Sequence, residues 1–103
     1  MAEKKIEYLA SLPAFDGCSK VYVYIFLENN NMEWTTNEDW NIEIYREGDE
    51  IAIKRLPIRE DDIELEERYP INEIKRVVIE KCWVCSDCDP NSPECCESFE
   101  IKP

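Results

Sequence analysis

The run Val21-Tyr22-Val23-Tyr24-Ile25-Phe26-Leu27 decides the fold. Its residues are β-branched, aromatic or leucine, and these residue types favour β-strands. Because apolar side chains point to both sides of such a strand, both of its faces must be covered by other parts of the protein. We therefore expect this strand to lie in the middle of a small, mostly antiparallel sheet.

Alternating apolar residues predict a β-hairpin further along the chain. A polar loop is expected first, at residues 28–39. Apolar and polar residues then alternate over residues 40–45 and again from Ile51, on either side of a turn at Gly48. This pattern predicts a hairpin over residues 40–58.

The second half of the chain predicts three more strands. Residues 63–66 form a short acidic strand in this interpretation, and the β-branched run at residues 74–84 forms the last long strand. Helical spacing also fits residues 71–79, so a helix there remains an alternative. Residues 98–101 alternate in polarity and predict a closing strand that pairs with the preceding one as a hairpin.

The N-terminal residues follow a different period. Ile6, Leu9 and Ala10 share one face at helical spacing, and Pro13 would end such a helix. The expected fold class is α+β, mostly β: a small antiparallel sheet with a short N-terminal helix and a Cys-rich C-terminal hairpin. At 103 residues the chain is expected to form one domain. Its expected parts are a helix at 1–13, the sheet at 20–81 and the Cys-rich hairpin at 82–103.

The charge of the chain favours basic partners. Its 24 acidic and 12 basic residues give a net charge of −12. Nucleic acids and anionic membranes bind through Lys and Arg, so they are not expected as direct partners, whereas a basic protein surface is. A solvated face that only keeps the chain soluble is the alternative. The residues expected to contact a partner are Trp34, if exposed, and the densest acidic run, Glu60, Asp61, Asp62, Glu64, Glu66 and Glu67.

The spacing within this acidic run suggests a narrower hypothesis. Glu64 and Glu66 would share one face of a strand, about 6.6–6.8 Å apart. Residues two positions apart on a strand are separated by twice the ~3.3 Å rise per residue. This separation is close to the ~7 Å between phosphates along a nucleic-acid strand. In size and charge the chain is similar to small acidic viral inhibitors that imitate DNA.

The cysteines predict a structural crosslink. The chain has six cysteines, and four thiolates from this set would suit a tetrahedral structural zinc. Disulfides, with Cys18 joining, are the second possibility. Zinc is preferred because the N-terminus lacks an apolar leader, which predicts a cytoplasmic protein with reduced thiols, in the host cytoplasm if it is viral. The expected zinc ligands come from Cys82, Cys85, Cys88, Cys95 and Cys96.

The motifs do not predict an enzyme. The sequence has no histidine, no Ser/His/Asp set, no P-loop and no Rossmann fingerprint. The leading hypothesis is a non-enzymatic binding or inhibitor protein, and a small zinc-stabilised interaction module is the first alternative. A thiol redox protein is the second, because Cys82 and Cys85 follow a strand as in thioredoxin-like proteins. However, residues 86–93 cannot form the helix that lowers the thiol pKa in those proteins.

Overall fold

The computed structural model describes residues 5–84 and 95–101. These residues form two four-stranded antiparallel sheets rather than the single sheet that was expected. Sheet I has the strand order β1-β4-β5-β6, and sheet II has the order β3-β2-β7-β8. The strands are β1 (Ile6–Leu12), β2 (Ser19–Leu27), β3 (Met32–Thr36), β4 (Trp40–Glu47), β5 (Glu50–Pro57), β6 (Leu65–Pro70), β7 (Ile74–Trp83) and β8 (Cys96–Ile101).

The core lies between the two sheets. Along each inner strand every second side chain points towards the other sheet, so the apolar positions of both sheets meet there. Valine and isoleucine predominate because their branched side chains pack well on a pleated surface. The buried cluster consists of Leu12, Ile42, Ile44, Ile51 and Ile53 from sheet I and Val21, Val23, Ile25, Ile74, Val77 and Ile79 from sheet II.

Strand β2 lies in the interior of sheet II, as its sequence predicts, between β3 and β7. One face is buried against sheet I. The opposite face carries the half-buried side chains of Tyr22, Tyr24 and Phe26. The expectation that both faces are covered is therefore correct for only one of them.

The expected N-terminal helix is wrong, because residues Ile6–Leu12 form strand β1. Tyr8 pairs with Tyr45, but Ala10 pairs with Ile44, so the register shifts and Leu9 is an extra residue. Such a β-bulge lets two successive residues lie on the same side of a strand. Leu9 and Ala10 both pack against the core. The bulge thus reproduces the spacing that otherwise indicates a helix.

The expected polar loop at residues 28–39 is also partly wrong, since Met32–Thr36 form strand β3. A short turn joins β2 to β3, and Asn30 adopts a φ of 69° within it. Asparagine tolerates this left-handed conformation better than most residues. The amide of Leu27 donates to the carbonyl of Asn31 at 2.9 Å and closes the turn.

The chain after β3 is held by one buried amide. Asn37 is fully buried, and its Oδ1 accepts a hydrogen bond from the amide of Val21 at 2.9 Å. Its Nδ2 donates to the carbonyls of Pro13 at 2.8 Å and Ser19 at 3.2 Å. This side chain therefore joins three segments of backbone near one end of the sandwich.

The two predicted hairpins are confirmed. Strands β4 and β5 pair around a two-residue turn in which Gly48 has a φ of 60°, a conformation that glycine adopts without steric cost. Residues 71–79 are mostly strand, after a 3-10 turn at Ile71–Glu73. In the C-terminal hairpin β7 pairs with β8, and Cys82 lies opposite Cys96. Within the described residues, no helix is long and apolar enough to cross a membrane.

Candidate functional site

One side of the sandwich forms an acidic edge, which we define as strands β3 and β6 and residues 58–64. Strands β3 and β6 are edge strands of different sheets. The hydroxyl of Tyr69 on β6 links them, because it lies within hydrogen-bond distance of the carboxylates of Glu33 on β3 and of Glu67, the latter at 2.6 Å. Burial, followed by these two hydrogen bonds, raises the pKa of Tyr69. The hydroxyl therefore remains a donor between two carboxylates.

The acidic side chains of β6 are paired within the protein. The Glu66 carboxylate accepts a hydrogen bond from the Tyr45 hydroxyl and another from Nε of Arg68 at 3.1 Å. These contacts, with that of Tyr45 the larger, lower the pKa of Glu66. Arg68 also forms ion pairs with Glu47 at 3.4 Å and Glu50 at 3.7 Å. The guanidinium of Arg68 therefore contacts three carboxylates on the outer face of sheet I, those of Glu47, Glu50 and Glu66.

Two other predicted partner-binding acids also have cations beside them. Nζ of Lys54 lies 2.8 Å from the carboxylate of Glu64, and the guanidinium of Arg55 lies 2.7 Å from that of Glu67. Both cations belong to β5, the strand that pairs with β6. Glu64 and Glu66 are therefore not a row of free charges, because each contacts a cation of the same protein.

The loop between β5 and β6, residues 58–64, also contains three acids whose surroundings differ from those of Glu64 and the β6 acids. Glu60, Asp61 and Asp62 are exposed, and no ion pair joins them to any residue that the structure describes. Two large apolar side chains flank them, Ile58 with 52% and Ile63 with 75% of its surface exposed. These three carboxylates, unpaired among the described residues and flanked by two exposed isoleucines, distinguish the loop from β6.

Trp34 borders the same edge. Its side chain is 60% exposed on β3, beside Met32 at 46%. Beyond β3, the carboxylate of Asp39 lies 3.9 Å from the guanidinium of Arg59, and its backbone carbonyl accepts a bond from the amide of Ile58 at 3.5 Å. The loop therefore starts next to Asp39, three residues beyond β3 and directly before β4. Trp34 itself lies on the edge strand β3, and its ring packs beside Tyr22 on the outer face of sheet II.

The sequence analysis missed an aromatic surface on the outer face of sheet II. The rings of Tyr22 and Tyr24 lie 6.2 Å apart and nearly parallel, and Trp34 lies 6.5 Å from Tyr22. The guanidinium of Arg76 covers the ring of Phe26 at 4.5 Å. The alternating aromatic residues of β2 could have predicted this surface. They were not interpreted in this way because both faces of the strand were expected to be covered. This surface meets the acidic edge at Trp34.

The four cysteines that the structure describes are disulfide-bonded. Cys82 of β7 is bonded to Cys96 of β8, and Cys18 and Cys95 are disulfide-bonded as well. The second of the two predicted possibilities, disulfides that include Cys18, is therefore the one observed. A redox dithiol of Cys82 with Cys85 is not formed, because Cys82 is bonded to Cys96.

The predicted four-thiolate zinc site is not supported. Two of its expected ligands, Cys85 and Cys88, lie outside the described residues. Glu80, Cys82 and Cys96 do form a group whose potential ligand atoms all lie within 4.8 Å of one another. The Oε1 atom of Glu80 lies 3.8 Å from Sγ of Cys82. The group has the donor atoms of a metal site, but its two sulfurs are bonded to each other.

No protein-family model, no curated protein and no solved structure matches this chain. Its function must therefore be inferred from its own geometry and charge.

Proposed function

We propose that the chain is a non-enzymatic binding protein whose acidic edge docks on a basic surface of a partner protein. The observation that carries this proposal is the exposed triplet Glu60, Asp61 and Asp62, which has no ion pair within the described part of the chain. Complementary charge steers association and selects the partner. The exposed Ile58 and Ile63 supply apolar contacts beside the charges.

Glu60, Asp61 and Asp62 contribute more to docking than Glu64, Glu66 and Glu67 do. Glu64, Glu66 and Glu67 already contact cations of their own chain, so a partner's cation would replace an existing pair and gain little. Glu60, Asp61 and Asp62 have no ion pair with a described residue, so the partner's Lys or Arg would replace water. Trp34 is also exposed, on the edge strand β3, and tryptophan is among the residues that most often dominate binding energy at interfaces.

The narrower form of the proposal is an inhibitor of a nucleic-acid-binding protein, of viral or mobile-element type. Its support is the small size of the chain and its net charge of −12. Because Glu64, Glu66 and Glu67 are paired, mimicry of DNA would depend on Glu60, Asp61 and Asp62. The second candidate is a small interaction module stabilised by its Cys-rich hairpin, which the Cys82–Cys96 bond favours.

The test compares two triple charge reversals. The first changes Glu60, Asp61 and Asp62 to Lys. The matched control changes Glu7, Glu97 and Glu100 to Lys, which are exposed residues of β1 and β8 and add the same charge away from the acidic edge. Binding of a fluorescein-labelled octalysine peptide is measured by anisotropy between 50 and 300 mM NaCl, with concentrations chosen around the Kd.

We expect the loop reversal to weaken binding by about tenfold more than the control, which corresponds to about 1.4 kcal/mol. We also expect the wild-type affinity to fall steeply with salt. Equal losses in the two variants would show that the charge acts diffusely and that the loop is not a docking site. Binding that does not change with salt would contradict charge-driven docking altogether.

A further inference from the structure

We propose that the reduced protein binds one divalent ion of the zinc class through Glu80, Cys82 and Cys96, and that the Cys82–Cys96 disulfide closes this site. Metal binding and disulfide formation then exclude each other at the same pair of sulfurs. The ligand set differs from the expected four-cysteine zinc site by including a carboxylate, and this inference does not depend on the proposed docking function.

The three donors converge because of their positions in sheet II. Glu80 and Cys82 are two residues apart on β7, and such side chains point to the same face of a strand. Cys96 lies directly opposite Cys82 on β8. Side chains of directly opposite residues are the closest pairs between two strands. A hydrogen-bonded pair of strands therefore holds all three donors.

The distances suit a tetrahedral ion. Zinc binds sulfur at about 2.3 Å and carboxylate oxygen at about 2.0–2.2 Å, which places neighbouring donors of a tetrahedral site about 3.5–3.8 Å apart. Sγ of Cys82 and Oε1 of Glu80 are 3.8 Å apart. The sulfurs of Cys82 and Cys96 are bonded to each other, so they must separate before an ion can enter.

The chemistry balances with a dithiol or phosphine as the reductant. The S–S bond breaks and its sulfurs gain two electrons and two protons. A dithiol supplies both protons and becomes a disulfide, whereas a phosphine takes the oxygen of one water molecule, whose two protons go to the sulfurs, and becomes a phosphine oxide. The hydrated ion then displaces both thiol protons into solvent, forms two metal–sulfur bonds and one metal–oxygen bond, and keeps one water as its fourth ligand. Two thiolates and one carboxylate exceed the charge of a divalent ion by one negative charge. Lys20 pairs with Cys82 in the sheet register, and its Nζ lies 3.7 Å from the carboxylate of Glu38.

The experiment uses the full chain, reduced anaerobically with tris(2-carboxyethyl)phosphine and freed of excess reductant. Co²⁺ is titrated first, because thiolate–cobalt absorption reports sulfur ligation, and Zn²⁺ is then added in competition. Glu80→Gln removes the carboxylate ligand. Glu100→Gln is the matched control, because it removes the same charge from an exposed residue of β8 outside the ligand group.

We expect about one ion per reduced chain and none in the oxidised chain. Glu80→Gln should weaken Zn²⁺ binding by at least about tenfold, as even outer-shell changes do, whereas Glu100→Gln should bind as the wild type does. Equal affinities of the two variants would show that other cysteines hold the ion and would overturn the proposal. So would a reduced chain that circular dichroism shows to be unfolded and that stays unfolded in the presence of Zn²⁺.

Discussion

The outer faces of the two sheets are stabilised in different ways. On sheet I, the guanidinium of Arg68 lies among three carboxylates and over the ring of Tyr45, at 5.9 Å from its centroid. On sheet II, Tyr22 and Tyr24 pack against each other. The first face is thus stabilised by ion pairs, while the second depends on aromatic contacts.

This difference shows that an acidic residue cannot be assigned to binding from its sequence neighbours alone. Glu66 and Asp62 are close in the same acidic run, yet Glu66 stabilises sheet I and Asp62 has no ion pair with a described residue. Glu60, Asp61 and Asp62 have no ion pair with a described residue, and we propose that the excess negative charge acts on a partner through them.

The largest expected effect concerns the centre of the charged face. Tyr45 is only 7% exposed, and truncating a buried aromatic side chain removes both apolar contacts and filled volume. We expect Tyr45→Ala to lower the free energy of unfolding by about 3 kcal/mol. Tyr24→Ala, on the half-buried aromatic face, should cost about 1 kcal/mol. Urea unfolding followed by fluorescence measures both, and equal losses would remove the distinction between the two faces.

A smaller effect on the free energy of unfolding is expected at low pH, and it concerns the outer face of sheet I. Contacts with Tyr45 and Arg68 lower the pKa of Glu66 below its ordinary value of 4.5 in the folded protein. A lowered folded-state pKa contributes stability above pH 4.5, and this contribution is lost as the pH falls through the lowered value. Glu66→Gln should therefore lose less stability than the wild type when the pH falls from 6 to 3.

Urea midpoints measured across this pH range provide the check. Glu100→Gln is the matched control, since no ion pair joins Glu100 to another residue in the described ranges. A Glu66→Gln protein that follows the wild-type acid profile would show that the Arg68 cluster contributes little to stability.

The smallest expected effect on stability is at the junction of the aromatic face and the acidic edge. Trp34 is 60% exposed, so Trp34→Ala should change the free energy of unfolding by no more than about 0.5 kcal/mol. Trp40 is half-buried beside Arg55, 5.7 Å from the ring centroid, and Trp40→Ala should cost more. Chemical denaturation measures the free energy of unfolding of both variants. A large loss of stability in Trp34→Ala would show that Trp34 is a packing residue rather than an interface anchor.

The strands with a clear residue pattern could be predicted from the sequence. Strands β2 and β7 could be predicted because they are rich in β-branched residues, and the β4–β5 hairpin and β8 because apolar and polar residues alternate in them. Strand β1 could not be predicted, because its bulge at Leu9 breaks this alternation. Strand β3 was missed because it is a short edge strand with mostly polar residues and no buried side chain.

The candidate site could be predicted only in part. The acidic run, Trp34 and the crosslinked cysteines were found from composition and spacing. The pairing of Glu66 with Arg68, and of Glu64 with Lys54, depends on which strands are neighbours and on their register. The choice of Cys96 as the partner of Cys82 depends on register too. None of these is fixed by local sequence.

The position of the Cys82–Cys96 bond also determines how the protein responds to mechanical tension. Strand β8 is an edge strand, and its final residue, Ile101, pairs with Val77. A force applied at the C-terminus would peel β8 away one residue at a time until it reached Cys96. There the covalent bond would transfer the load directly to Cys82, at the end of β7. Further extension would then have to pull β7, an interior strand, out of sheet II. The segment that separates first therefore consists of the residues of β8 after Cys96.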